Sequence, residues 1–546
     1  MFRRALALCW LIISAEFLSA ATKPNIILIT IDSARSDRMG FLGAKQGMTL
    51  NLDSLARQSV IFEQAYTQAP TTVVSHATIL TGTYPQTHQA SEFAAHLSAS
   101  LPYLPDLLRA RGYRTAAFVQ STALDPHGFA PGFDRGFTSY RVLNSTAEVI
   151  TRADEWFDQN DHDPGITVLE LLAFDLSDVS YNAAISAVDA SIGKLITALR
   201  KRKLFDDALI VITASHGATL GSHGEAHAGV FLYDETVRVP LLVKLPQNQD
   251  AGKRVRTKVP LVNIAPTILE LCGVPVPSHM QGQSLTRIAK GSVAEQPIYS
   301  RSDFPAQAYG LSPLESWRAG KFLYVRAPKP ELYDLSADPA AAHNLAQTSK
   351  ATLETMAAQL TAFNQHFKSG TGQSTQLSSS EIQKLASLGY VGVQKPTTSV
   401  SAAATGIDPK DTIAAINKIS TAAEFLEAGS PSKAQAQLEG SMTGFTNMYL
   451  AQYVKGTALA QQQKYSQAVP YLHRAIELQP DSASAHYQMG AVLLKTNDFK
   501  TAAVHLEIVA GRLPNFTSAH TLLAQAYERL GRTEDAKREK AKAAQQ

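Results

Sequence analysis

Residues 25–32, NIILITID, form an unbroken apolar run that ends in a carboxylate. A run without polar alternation is a strand covered on both faces, as central strands of parallel sheets are. Working outward, RTAAFV (114–119) and DDALIVITAS (206–215) have the same character. Between them, YNAAISAVDASIGKLITALRKRK (181–203) repeats its apolar residues three and four apart, the period of a helix with one buried face. Strands alternating with helices predict an α/β domain whose mostly parallel sheet is covered on both sides. Short strands and turns around 297–336 predict a smaller C-terminal sheet in the same unit.

The composition then changes. KPTTSVSAAATG (395–406) is small and polar, a linker, and beyond it the sequence repeats. Gly456 and Gly490 stand 34 residues apart, as do Pro480 and Pro514, and Ala468, Ala502 and Ala536 keep the same step. Ala524 continues the glycine register, and Ala422 and Ala434 fall one period earlier. Small residues at fixed offsets let paired helices pack closely, and proline ends the second helix of each pair. Two clear units and a decayed first one near 410–446 are expected. The expected boundaries are 22–370 for the α/β domain, 371–407 for the linker and 408–546 for the repeats.

The chain of 546 residues is 45% hydrophobic and 18% charged, with a net charge of +3 and no long basic run. That excludes overall disorder, a nucleic-acid surface and a polybasic membrane patch. At the N-terminus, Arg3 and Arg4 precede the apolar stretch Ala5–Ile13, and Leu18-Ser19-Ala20-Ala21 offers small residues for cleavage. Residues 1–21 are therefore expected to be a signal peptide, with Glu16 leaving an uncleaved anchor as the alternative. The mature protein is then exported, periplasmic or extracellular, with no membrane span. Cys9 falls in that segment, and Cys272 is left as a lone core thiol.

Three places could carry chemistry. Asp32 ends the first strand, where ligands of open α/β sheets collect, or else caps the following helix. In QAPTTVVSHATILTGTYP (68–85), Thr72 and Ser75 precede a helical start, which either holds an anion or is simply capped by hydroxyls. In TASHGATLGSHGEAHAGVFLYDETVRVPLLVK (213–244), His216, His223, Glu225 and His227 crowd a glycine-rich loop after a buried strand. Such a cluster suits metal or acid/base chemistry, with His223 the one that satisfies loop backbone.

Taken in order, PNIILITID (24–32), LDSLARQSVIFEQAYTQAP (52–70), SHATILTGTYP (75–85), LGSHGE (220–225), FLYDETVRVPLLVK (231–244), LVNIAPTILELCGVPVP (261–277), PELYDLSADP (330–339) and HNLA (343–346) resemble the sulfatase family of the alkaline-phosphatase superfamily. The 34-residue period resembles tetratricopeptide repeats, and with LASLGYVG (385–392) the whole is similar to bacterial fusions of the two. The resemblance covers roughly residues 23–370. It implies a mixed sheet between helices, a small C-terminal sheet, an all-α repeat array, and a metal-centred ester hydrolase site.

Carried over residue by residue, the resemblance is incomplete. Sulfatases carry Cys-x-Pro-Ser-Arg, or Ser in place of Cys, and convert the first residue to formylglycine. Here Thr72 stands at that place, with Val74 for the proline, Ser75 kept and His76 for the arginine. Threonine cannot become formylglycine, but it matches the nucleophile of phosphodiesterase relatives. Of the metal ligands, calcium or zinc by resemblance, Asp32 and His216 are kept while Ser33 and Ser215 replace carboxylates. The central histidine loop is replaced by LLAFDLSDVSYN (171–182), with Asp175 and Asp178 its only carboxylates. His227 matches the basic residue that faces the ester. The site candidates are thus Thr72, His76 and His227 for catalysis and Asp32 and His216 for a metal. Three readings stand open. The domain binds an anionic ester or glycan with little turnover, or it is a threonine-dependent sulfate- or phosphate-ester hydrolase. In the third, function lies in the repeats, which recruit a protein partner.

Overall fold

The computed structural model describes residues 23–91, 97–128, 130–160, 164–172, 178–367 and 406–544. The expected signal segment, most of the expected linker, and Asp175 lie outside them, as does the side chain of Asp178.

The strands are β1 (Ile26–Asp32), β2 (Val60–Phe62), β3 (Ala65–Tyr66), β4 (Arg114–Val119), β5 (Ser139–Val142), β6 (Gly165–Leu172), β7 (Leu209–Thr213), β8 (Arg238–Val239), β9 (Leu241–Lys244), β10 (Arg254–Val255), β11 (Val259–Pro260), β12 (Ile298–Ser302), β13 (Leu314–Ala319), β14 (Phe322–Arg326) and β15 (Glu331–Asp334). Among the described residues, eight form one sheet in the order β10-β2-β9-β7-β1-β6-β4-β5. The predicted centre holds: β1 is fully buried and lies between β6 and β7, parallel to both. The sheet is mixed because β9 runs antiparallel to β7 and β2. As expected from 297–336, β12 to β15 form a four-stranded antiparallel sheet. The helix Lys350–His366 packs on that sheet through Met356, Leu360 and Phe363.

The helical region holds one more unit than the sequence suggests. Its pairs are Ile413–Glu427 with Pro431–Leu438, Tyr449–Gln461 with Tyr465–Leu478, Ala483–Lys495 with Phe499–Arg512, and Thr517–Arg529 with Thr533–Ala544. Counting repeated glycine and proline undercounts the array, because the first and last pairs use Ala422 and Ala524 where the middle two use glycine. The glycines are there for close approach. A Cβ at Gly456 would come 2.8 Å from Leu472 Cγ, and one at Gly490 would come 2.6 Å from Leu506 Cγ. Pro480 and Pro514 fall just past helix ends, as predicted, whereas Pro470 sits inside Tyr465–Leu478.

The first pair is not separate from the α/β domain. Ile416, Ile419, Ala422 and Leu426 share one apolar cluster with Tyr66, Val230, Phe231, Leu232, Val237 and residues of the small sheet such as Leu323 and Val325. Burying side chains of this kind contributes about 1.5–3 kcal/mol each.

Candidate active site

The site grows from the register of the sheet. Thr30 of β1 stands opposite Thr213 of β7, so two residues further on Asp32 stands level with Ser215. The two strands run parallel, with β1 continuing two residues past the last pair with β7, and their carboxyl edge is open to side chains from the following loops. The ten-residue helix Thr72–Thr81 supplies the third wall and ends at Gly82 in the left-handed conformation.

Asp32 is 6% exposed, and the next helical turn, Ser36–Arg38, begins from Arg35 without a side-chain cap. Its Oδ2 accepts a hydrogen bond from Thr72 Oγ1 at 2.8 Å, and its Oδ1 accepts from the hydroxyl of Ser215. His216 Nε2 lies 3.3 Å from the same Oδ1 and 3.4 Å from Thr72 Oγ1. Since a carbonyl can only accept, His216 Nδ1 donates to the oxygen of Gly217 at 2.7 Å, which aims Nε2 at Asp32 and Thr72. Behind them Ser75, fully buried, donates to Ser215 O at 2.5 Å and pairs with Thr67 Oγ1 at 2.7 Å. A buried carboxylate needs such donors, each charge-assisted bond contributing about 1.5–3 kcal/mol.

The five candidates do not all meet. Asp32, Thr72 and His216 come together. His76 lies beneath them, its Nδ1 donating to Thr72 O at 2.8 Å and its Nε2 accepting from Thr30 Oγ1 at 2.8 Å. Burial holds its pKa below the ordinary histidine value, so it is neutral and tethers the helix start to β1. His227 is elsewhere on the loop, with its Nδ1 2.6 Å from Glu424 and its Nε2 3.1 Å from Thr421 Oγ1. His223 stacks on Tyr233 with ring centroids 3.7 Å apart and pairs with Glu235 at 3.1 Å. Glu225, fully buried, accepts from the amides of Val230 and Phe231 and shapes the loop. Burial pushes its carboxyl up to about 8.

Sequence reasoning missed Glu170 and Arg35. Glu170 is fully buried on β6 opposite Thr30, and its Oε2 accepts from the amides of Gln120 and Ser121. Burial first, and the charge of Asp32 second, push its carboxyl up to about 8. A lone acid inside the apolar run ITVLELL was the signal for it. Arg35 reaches the oxygens of Ala218 (3.0 Å) and Thr219 (3.3 Å), holding the loop against β1, and no pattern in the sequence announces it.

The donor set does not fit the metal that the resemblance implies. Calcium takes about six to eight oxygen ligands, and a zinc site about three firm ones plus water. Here both oxygens of Asp32 are already taken by hydroxyls. Among the described residues, no group of three or more His, Cys, Asp and Glu is arranged to hold a cation.

The sulfatase family profile matches residues 24–173 and 156–274. The profile of the N-sulphoglucosamine sulphohydrolase C-terminal region matches 221–366, and a tetratricopeptide repeat profile matches 458–525. An ulvan-active sulfatase of Formosa agariphila is 24% identical over 413 residues, spanning 62% of this chain and 80% of that protein. A choline-sulfatase of Rhizobium meliloti is 25% identical over 445 residues, spanning 62% and 85%. The structure of a phosphonate monoester hydrolase from Agrobacterium radiobacter superposes with a TM-score of 0.55 at 20% identity, over 65% of this chain and 98% of that one. A protein solved with its substrate D-glucosamine-2-N,6-O-disulfate superposes equally well, with a TM-score of 0.55 at 18% identity, over 64% and 99%. At these identities the superpositions establish the fold.

Proposed function

The chain belongs to the sulfatase family, with tetratricopeptide repeats at its C-terminal end, and on that premise we propose that it binds an anionic ester or glycan with little or no turnover. The carrying observation is Asp32: its oxygens accept from Thr72 and Ser215 where the family would seat a cation. Without the cation nothing drains charge from a developing oxyanion or lowers the pKa of a hydroxyl nucleophile. An ulvan-active sulfatase and an N-acetylglucosamine-6-O-sulfatase are among the relatives, which favours a sulfated saccharide as the ligand. The repeats add a surface for a protein partner. Residues 1–21 would direct the protein out of the cytoplasm. N-terminal sequencing of envelope-derived protein, starting near residue 21, checks that export.

A second reading has one observation in its favour. Thr72 Oγ1 is held 2.8 Å from a carboxylate that could accept its proton, which is how a threonine nucleophile begins. Calorimetry of the full-length protein with calcium and zinc, alongside hydrolysis of 4-methylumbelliferyl sulfate and bis-(4-nitrophenyl) phosphate, separates the two. The binding reading expects no stoichiometric metal and no turnover above background. Turnover abolished by Thr72→Ala overturns it in favour of the hydrolase.

A further inference from the structure

The loop that carries His216 and His227 is not completed by its own domain. Three side chains of the first repeat helix, Ile413–Glu427, close on it. Asn417 engages the backbone with both ends of its amide: Oδ1 accepts from Ala226 N at 2.9 Å, and Nδ2 donates to Gly224 O at 2.7 Å. One turn on, Thr421 Oγ1 meets His227 Nε2 at 3.1 Å. Another turn on, Glu424 Oε1 meets His227 Nδ1 at 2.6 Å, with the two side chains 16% and 23% exposed.

The steps 417, 421 and 424 put these residues on a single stripe of the helix. The apolar stripe that docks the helix, Ile416, Ile419 and Leu426, is a different one. Docking alone requires only the second stripe. The polar stripe matches one loop group for group, and two of its three members end on one imidazole. A carboxylate can only accept, so Glu424 fixes the proton of His227 on Nδ1 and with it the plane of the ring. The hydroxyl at Nε2 can donate or accept; an anionic ligand oxygen only accepts, so it could take that place where Nε2 carries a proton as well, the ring then being the imidazolium.

We propose that the repeat array supplies part of the sulfatase-family site: Glu424 and Thr421 are positioning residues that set the tautomer and orientation of His227. The inference rests on His227 being the ligand-facing base of the proposed ester site. Its consequence is that the site belongs to the full chain and to neither module alone.

The test uses the full-length protein. Long-range ¹H–¹⁵N spectra report which ring nitrogen of His227 carries the proton, and calorimetry with inorganic sulfate reports binding. Wild type is expected to show Nδ1–H. Glu424→Ala is expected to mix the tautomers and, by leaving the ring unoriented, to weaken sulfate by about tenfold. Glu424→Gln, which keeps an acceptor, restores most of both, and thermal melting verifies folding. Thr421→Ala, a smaller change, is expected to shift the Nε2 signal alone. If Glu424→Ala leaves the ring signals unchanged in folded protein, the proposal is overturned, even where His227→Ala weakens sulfate and so upholds the ligand reading. If the ring responds to Glu424→Ala while His227→Ala leaves sulfate unaffected, the positioning role holds and the ligand reading falls.

Discussion

Asp32 meets its partners Thr72, Ser215 and His216 within the α/β domain, whereas His227, on the same loop as the last two, meets Thr421 and Glu424 from the repeats. In the first region a carboxylate at 6% exposure meets the loop after β7 and the start of the helix Thr72–Thr81, and every partner lies within the one domain. In the second, the loop is finished by a helix nearly two hundred residues away in sequence. The difference teaches that the family core closes on itself, while the surface above it depends on what is fused to it.

The strongest way to break this comparison is to cut the chain after residue 405. Ile416, Ile419 and Leu426 would leave the apolar cluster, forfeiting roughly 5–9 kcal/mol of burial and exposing Val230, Phe231 and Leu232. The shortened protein is expected to aggregate, or to melt about 10 °C or more below the full chain in differential scanning calorimetry. Equal melting would show the domain to be self-sufficient.

Next in size is Asp32→Ala, which leaves the buried Ser215 hydroxyl and the half-buried Thr72 hydroxyl without their acceptor. Urea denaturation should register a loss of about 2–4 kcal/mol. Glu424→Gln, at a partly exposed pair, should cost only about 0.5–1 kcal/mol by the same measurement. Parity between the two would erase the contrast.

The pair Ser33→Asp with Ser215→Asp sharpens the comparison from the other side. Ser33 has φ 62°, a left-handed conformation that aspartate tolerates better than most residues. Three carboxylates without a cation repel, so the double variant is expected to lose about 1–2 kcal/mol in EDTA and to regain it in calcium. Thermal melting with and without calcium reads the difference. No calcium effect would mean that more than these two ligands separates the site from a metal centre.

The smallest effect is in pH. Burial holds the pKa of His76, His88 and His505 below the ordinary value of 6.5, to about 3 for His88. The unfolded chain binds those protons and the folded one does not, so stability contributed by neutral burial is complete above pH 6.5 and falls as pH drops below it. Glu170 and Glu225 act in the opposite sense. Raised to about 8, they favour the folded state below the unfolded value of 4.5 and lose that contribution as pH rises toward 8. Stability should therefore peak near pH 6.5, with slopes on either side of about 1 kcal/mol per pH unit. Denaturation across pH 5–8 tests this, and Glu170→Gln should flatten the alkaline side.

Much of this was legible in the chain. NIILITID announced the central strand because its apolar residues do not alternate with polar ones, and Asp32 at its end marked the site. The 34-residue steps announced the repeats because glycine at 456 and 490 leaves room for one leucine each. The neutral tether formed by His76 was not legible, since alignment with a family arginine says nothing about Thr30 lying across the strand. Glu170 was passed over inside an apolar run. The pairing of His227 with Glu424 was beyond reach, because it depends on how two modules dock and no local spacing encodes docking.

The segment that makes the joint, residues 406–457, precedes the repeat match at 458–525 and follows the sulphohydrolase match that ends at 366. Its first helix nevertheless shares an apolar cluster with the histidine-bearing loop and the small sheet. The unit of inheritance and the unit of folding therefore have different borders in this protein. In hydrogen exchange the amides of Ile413–Glu427 should open together with the loop residues Val230–Tyr233, as one cooperative block whose edges cut across both family boundaries.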